Sequence, residues 1–132
     1  MKYRAGYKYQ VYEDEPFMTC IYGKSIKTDF IELFANGVIV GRKGYAWDGP
    51  SGPTFDTKNT MRGSLVHDIG YQLMREGRLP HSYREYFDKL LYDTLREDGM
   101  SWVRAQYWYR GVAWGADSAC LPKNDRPILV AP

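Results

Sequence analysis

The chain has 132 residues, 44% of them hydrophobic and 26% charged, which suits one folded domain with its own core. A net charge of +2 is too small to argue for nucleic acid as a partner, and no apolar run approaches the length of a membrane span. The opening Met1-Lys2-Tyr3-Arg4-Ala5-Gly6-Tyr7 lacks the apolar stretch of a secretory signal, so no signal peptide is expected. Cys20 and Cys120 stand far apart; they could pair, but no disulfide framework is visible and a reducing compartment is the simpler reading.

Residues 1–47 read as β-rich. Tyr7 to Tyr12 alternates apolar or aromatic with polar residues, and Phe17 to Tyr22 makes a second candidate strand. A hairpin follows: Asp29 to Phe34, a turn at Ala35-Asn36-Gly37, and Val38 to Val40. Asn-Gly tolerates the positive φ that a tight reversal needs. Residues 48–59 form a Gly/Pro-rich loop, Asp48-Gly49-Pro50-Ser51-Gly52-Pro53 and a polar link, that ends regular structure.

Residues 60–118 read as helical. The first helix spans about Thr60 to Arg75, with Asp56, Thr57 and Asn59 as possible caps and Gly77 as a stop. Met61, Leu65, Ile69 and Leu73 form one apolar stripe. His67, Tyr71 and Met74 lie on the other side, so this helix is expected to be covered on both faces. Ser82-Tyr83-Arg84-Glu85 has the form of a capping box opening the second helix, which runs to about Glu97 and stops near Gly99. Its apolar face is Tyr83, Phe87, Leu90, Leu91 and Leu95, with Asp88 at the edge. The third helix starts near Ser101 and carries Trp102, Tyr107, Trp108, Tyr109 and Trp114, as core or as a membrane-contacting surface. Residues 119–132 read as an extended tail. The expected fold is a single α+β domain: an antiparallel β portion followed by three helices, two of them antiparallel at its heart.

The chemistry concentrates at His67-Asp68-Ile69-Gly70-Tyr71. His67 and Tyr71, four apart, share a helix face, and Asp68 sits roughly 100° round. Histidine offers a base near neutral pH and aspartate a hard oxygen ligand. Carbonyls of the preceding loop could complete a calcium or oxyanion site. A buried imidazole needs a partner for its second nitrogen. Asp88, on the inner edge of the next helix, is the candidate, and the Tyr71 hydroxyl can reach the same carboxylate. Arg84 and Asp88 could equally be a plain i, i+4 surface pair, and Asp48 could simply cap its own turn. A His–Asp phosphohydrolase needs more histidines; only His81 remains.

The run His67 to Tyr71, with Gly77-Arg78-Leu79 and then Arg84 and Asp88, resembles the helix pair of phospholipase A2, most closely its prokaryotic and fungal group. That resemblance covers about residues 47–95. It implies hydrolysis of a phospholipid acyl ester without a covalent intermediate, with His67 as general base, Asp88 orienting it and Tyr71 supporting Asp88. It also implies calcium as cofactor, held by Asp68, Asp48 and the Gly49 carbonyl, and a phospholipid or membrane surface as partner. The cysteines that the secreted enzymes carry after the upstream Asp and before the His are replaced by Pro50 and Ser64. Both partners are missing together, so packing must take the place of that disulfide.

The wider pattern is similar to a second family, common in bacteriophage genomes and without a settled function. Its members carry Trp-Asp-Gly-x-Ser-Gly-Pro, Asp-Thr, His-Asp-x-x-Tyr and Arg-x-x-x-Asp. Here these are Trp47 to Pro53, Asp56-Thr57, His67 to Tyr71 and Arg84 to Asp88. This likeness implies a protein made in the host cytoplasm. Two functions are therefore expected as alternatives. One is a calcium-dependent phospholipase A2-like hydrolase. The other is a non-catalytic virion (tail or capsid) or assembly component, in which the His–Asp–Tyr network only locks the core while aromatic surface and hairpin bind other virion proteins.

Overall fold

The computed structural model describes residues 2–3, 9–47, 58–115 and 129–130. Its strands are β1 (Lys2–Tyr3), β2 (Tyr9–Gln10), β3 (Glu15–Met18), β4 (Ile26–Lys27), β5 (Ile31–Leu33), β6 (Val38–Gly41), β7 (Ala46–Trp47) and β8 (Leu129–Val130). Its helices are α1 (Lys58–Arg75), α2 (Arg84–Glu97) and α3 (Trp102–Gly115). Antiparallel sheet on the N-terminal side and three helices on the C-terminal side make the fold α+β, as the patterning predicts. The chain divides into two compact units, Tyr7–Asp48 and Met1–Gly6 with Gly49–Pro132.

The first unit centres on an antiparallel four-stranded sheet in the order β3-β6-β5-β4. Phe17 and Leu33 both pair with Ile39. Directly opposed residues share a face, and these three, with Ile31, are the buried row. The hairpin turn closes through three residues. Phe34 N–H donates to the Val38 carbonyl at 2.8 Å, and Gly37 alone in the turn takes a positive φ, +94°. This is a turn followed by a left-handed glycine, one of the standard ways to join twisted strands. The second strand is displaced from the expected Phe17–Tyr22 to Glu15–Met18, because the chain bends at Thr19. The Thr19 hydroxyl donates to the Gly37 carbonyl at 2.6 Å and accepts from Ile21 N–H at 3.1 Å. Pro16 is accommodated because β3 is an edge strand. The alternating Tyr7–Tyr12 segment contributes β2, which pairs Tyr9 with Trp47 and Gln10 with Ala46 of β7.

Next to that pair, Asp14 organises the start of the Lys43 turn. Its carboxylate accepts from Lys43 N–H at 2.7 Å and from Arg42 Nη1 at 2.9 Å. Those two donors, the backbone one first, hold the carboxyl below the usual carboxylate range.

In the second unit, α1 and α2 run antiparallel. Arg62 meets Asp98, Gly63 meets Leu91 and Leu95, and Gly70 meets Phe87, so partner numbers fall along α2 as they rise along α1. Both faces of α1 are covered: Leu65, Ile69 and Leu73 are buried, and so are His67, Tyr71 and Met74. Glycine at 63 and 70 sets the approach. A Cβ at Gly63 would lie 2.9 Å from Leu91 Cδ1, and one at Gly70 would lie 2.3 Å from Cγ and Cδ1 of Phe87.

Both helices end at the expected glycines in the same way. Gly77 (φ +74°) donates to Met74 while Arg78 donates to Leu73; Gly99 (φ +94°) donates to Arg96 while Met100 donates to Leu95. This paired closure satisfies terminal carbonyls and requires a left-handed residue. The start of α2 differs from expectation. Ser82 does not cap it; a 3₁₀ turn over His81–Tyr83 runs straight into the helix, with no side-chain cap at its first residue. Pro80, fixed at φ −61°, launches that turn by accepting from Tyr83 N–H, so Ser82 is already inside helical backbone.

Helix α3 starts as expected after Ser101, whose Oγ accepts from Arg104 N–H at 3.4 Å. It packs Ala105, Trp108 and Val112 on Leu91, Leu95 and Met100. The aromatic helix thus divides: Trp108 is core, whereas Trp102 and Tyr107 are exposed. Strand β8, in the expected extended tail, pairs antiparallel with β1. Asp56, Thr57 and Cys120 lie outside the described residues; Cys20 is exposed.

Two measurements check this packing. Gly70→Ala should lower stability in urea denaturation by about 1–3 kcal/mol through overpacking against Phe87, despite alanine's better helix propensity. Gly111→Ala, where a Cβ meets open space in α3, should instead raise stability by about 0.5–1 kcal/mol. In the first unit, Asp14 titrates low when folded, so its contribution to stability is present above the ordinary carboxylate pKa and lost as pH falls through the folded value. Carboxyl ¹³C titration should place the Asp14 midpoint below that of an exposed aspartate, and Arg42→Gln should move it back up.

Candidate functional site

Helix α1 brings His67 and Tyr71 to the side that faces α2, one turn apart. Their rings stack with centroids 4.1 Å apart and planes inclined by 34°. Opposite them α2 presents Asp88, 1% exposed. His67 Nε2 lies 2.7 Å from Asp88 Oδ1, and the Tyr71 hydroxyl donates to the same oxygen at 2.6 Å. Arg84, one turn before Asp88, donates from Nη1 to Oδ2 at 3.5 Å. The hydrogen bond expected between His67 and Asp88 is therefore present, with Tyr71 on the same carboxylate.

Three donors directed at one side chain suit a carboxylate, which only accepts, and not a carboxylic acid, which would need an acceptor of its own. It follows that His67 donates from Nε2, and that in a neutral ring the lone pair lies on Nδ1. The tautomer is set by the network. The imidazole side chain keeps 10% of its surface open, so it is not sealed from solvent. A neutral imidazole with its lone pair on Nδ1, backed by a fixed carboxylate, can accept a proton there and share the resulting charge with Asp88.

Asp68 follows His67 on α1 and is half-buried. Asp48 and Gly49, the other expected calcium ligands, lie outside the described residues, as do residues 50–57. Among the described residues no group of three or more His, Cys, Asp or Glu could hold a metal ion. Asp68 alone does not make a calcium site.

Arg84 and Asp88 form the i, i+4 contact that the sequence admits, but it is not a surface pair, because the carboxylate is buried. The sequence gives no sign of one further participant. Arg84 Nη1 also donates to the Ala113 carbonyl of α3 at 3.2 Å. A backbone acceptor on a distant helix leaves no trace in residue type or spacing.

No family model, curated protein or solved structure matches this chain.

The geometry sets a graded outcome for Asp88. Asp88→Ala leaves the buried His67 and Tyr71 without their acceptor and should cost about 1–3 kcal/mol per unsatisfied group in chemical denaturation. Asp88→Asn keeps one acceptor oxygen and should cost less. Equal losses for the two would mean that the full carboxylate, with its charge and both acceptor oxygens, and not its shape or one oxygen alone, holds the site.

Proposed function

We propose that this protein is a phospholipase A2-like hydrolase acting on a phospholipid acyl ester. The observation that carries this reading is the buried His67–Asp88–Tyr71 network, which leaves Nδ1 of His67 as an oriented base. Nδ1 takes a proton from a water molecule as that water's oxygen attacks the ester carbonyl. Asp88 stabilises the imidazolium, and Tyr71 holds Asp88 in place. The proton then passes from Nδ1 to the leaving alkoxide, which departs as the lysophospholipid alcohol, and the acyl group leaves as a fatty acid.

Calcium belongs to the same proposal, with Asp68, Asp48 and the Gly49 carbonyl as its ligands. When bound there, it would supply positive charge to the carbonyl oxygen as negative charge develops on it. The motif likeness adds a phage origin, synthesis in the host cytoplasm and a membrane or phospholipid surface as partner. Among the described residues no helix is long and apolar enough to cross a membrane.

A second reading has its own observation. Trp102, Val103 and Tyr107 on α3 are 60%, 71% and 54% exposed, a surface suited to contact with another protein. In that reading the chain is a virion or assembly component, and the His67 network only locks the helix pair.

Fatty-acid release from phospholipid vesicles, with and without added calcium, separates the two. The hydrolase reading expects release by the wild type and a loss of about 10²-fold or more in His67→Gln, at unchanged helical content. Wild-type protein that releases no fatty acid from any phospholipid supplied, with calcium present, leaves the binding component as the account of this chain.

A further inference from the structure

Asp88 is held from two sides. Its Oδ1 faces α1 through His67 and Tyr71, and its Oδ2 faces Arg84. The two hydrogens of one Arg84 nitrogen, Nη1, serve two acceptors: Asp88 Oδ2 at 3.5 Å and the Ala113 carbonyl at 3.2 Å. Ala113 stands in the last turn of α3, where carbonyls lack partners within the helix and the helix dipole is negative. A guanidinium is suited to that position. It is planar, so its donor directions are fixed relative to one another. With one hydrogen directed at Ala113, the other is no longer at liberty to swing. The Arg84 side chain is 21% exposed and the Asp88 side chain 1%, so solvent does little to loosen the contact.

We propose that Arg84 is a positioning residue for the His67–Asp88 pair, fixing the plane of the Asp88 carboxylate by straddling it and the Ala113 carbonyl of α3. Helix α3 thereby becomes a third element of the site without giving it a side chain. Without Arg84, Oδ2 loses this donor, the carboxylate turns more readily about its terminal torsion, and Oδ1 is shared less firmly between His67 and Tyr71. Arg84→Lys keeps the positive charge but not the planar fork, so it should restore the arrangement only in part. The catalytic consequence rests on the hydrolase reading; the structural one does not.

The test uses the whole chain and two readouts. The proton between His67 Nε2 and Asp88 Oδ1, 2.7 Å apart, should give a downfield ¹H resonance separate from the amides. In Arg84→Met that resonance should move upfield or vanish while helical circular dichroism is retained, and Arg84→Lys should fall between Met and wild type. Where the wild type hydrolyses ester, kcat of Arg84→Met should fall about tenfold or more with KM within about twofold, because the residue acts on the base and not on substrate binding. A merely structural arginine would lower the melting temperature and leave both signals alone. Folded Arg84→Met with its downfield resonance at the wild-type position overturns the proposal. If Arg84→Met fails to fold, Arg84→Lys decides: a displaced resonance supports the proposal, and a wild-type one overturns it. A resonance displaced in Arg84→Met, in a wild type without esterase activity, upholds the positioning role and removes the hydrolase reading.

Discussion

A carboxylate taken out of water must be surrounded by donors or it destabilises whatever contains it. Asp88 is such a group, and much of the helical unit is arranged around meeting its needs. Two donors come from α1, so α1 has to lie close enough to α2 for a histidine ring and a tyrosine hydroxyl to reach one oxygen. That closeness is possible because residues 63 and 70 have no side chain where Leu91, Leu95 and Phe87 press in. The third donor comes from α2 itself, and that donor is tied to α3. The glycine-terminated ends at Gly77 and Gly99 let the chain reverse promptly, so that α1 and α2 can share one buried acceptor while α3 holds the arginine beside it.

The same arrangement that satisfies Asp88 also orients His67. A ring nitrogen committed to a carboxylate fixes both tautomer and plane, leaving the other nitrogen with a defined direction. A structural lock and a general base thus need the same first contacts. What favours the base is that the imidazole keeps part of its surface open while Asp88 is sealed. The adjacent Asp68 puts a second carboxylate one residue away, and its proposed calcium partners lie outside the described residues.

Parts of this were legible in the sequence because they depend on spacing along one element. The i, i+4 relation of His67 and Tyr71 fixed their common face, and the position of Asp88 at the margin of the α2 apolar face pointed it inward. Asn36-Gly37 announced a hairpin because the left-handed position there needs glycine, and Gly77 and Gly99 marked helix ends for the same reason. Other features depend on what the rest of the chain does to a local signal. Ser82 has capping chemistry, but Pro80 starts a 3₁₀ turn before it can act. Phe17 to Tyr22 has strand character, but the Thr19 hydroxyl bonds out of the ladder and bends it. Two-residue strands such as β4 and the β1–β8 pairing carry too little pattern to be read in advance. The link from Arg84 to Ala113 was invisible because its acceptor is a carbonyl, which every residue has.

The central claim is that His67 presents a lone pair on Nδ1 because Nε2 donates to Asp88. Long-range ¹H–¹⁵N correlation spectra of the labelled protein, recorded where the imidazole is neutral, read this directly. The account predicts that Nε2 shows the shift of a protonated ring nitrogen and Nδ1 that of an unprotonated one. A neutral His67 with its proton on Nδ1 would contradict it, since the nitrogen facing Asp88 would then carry no proton to donate.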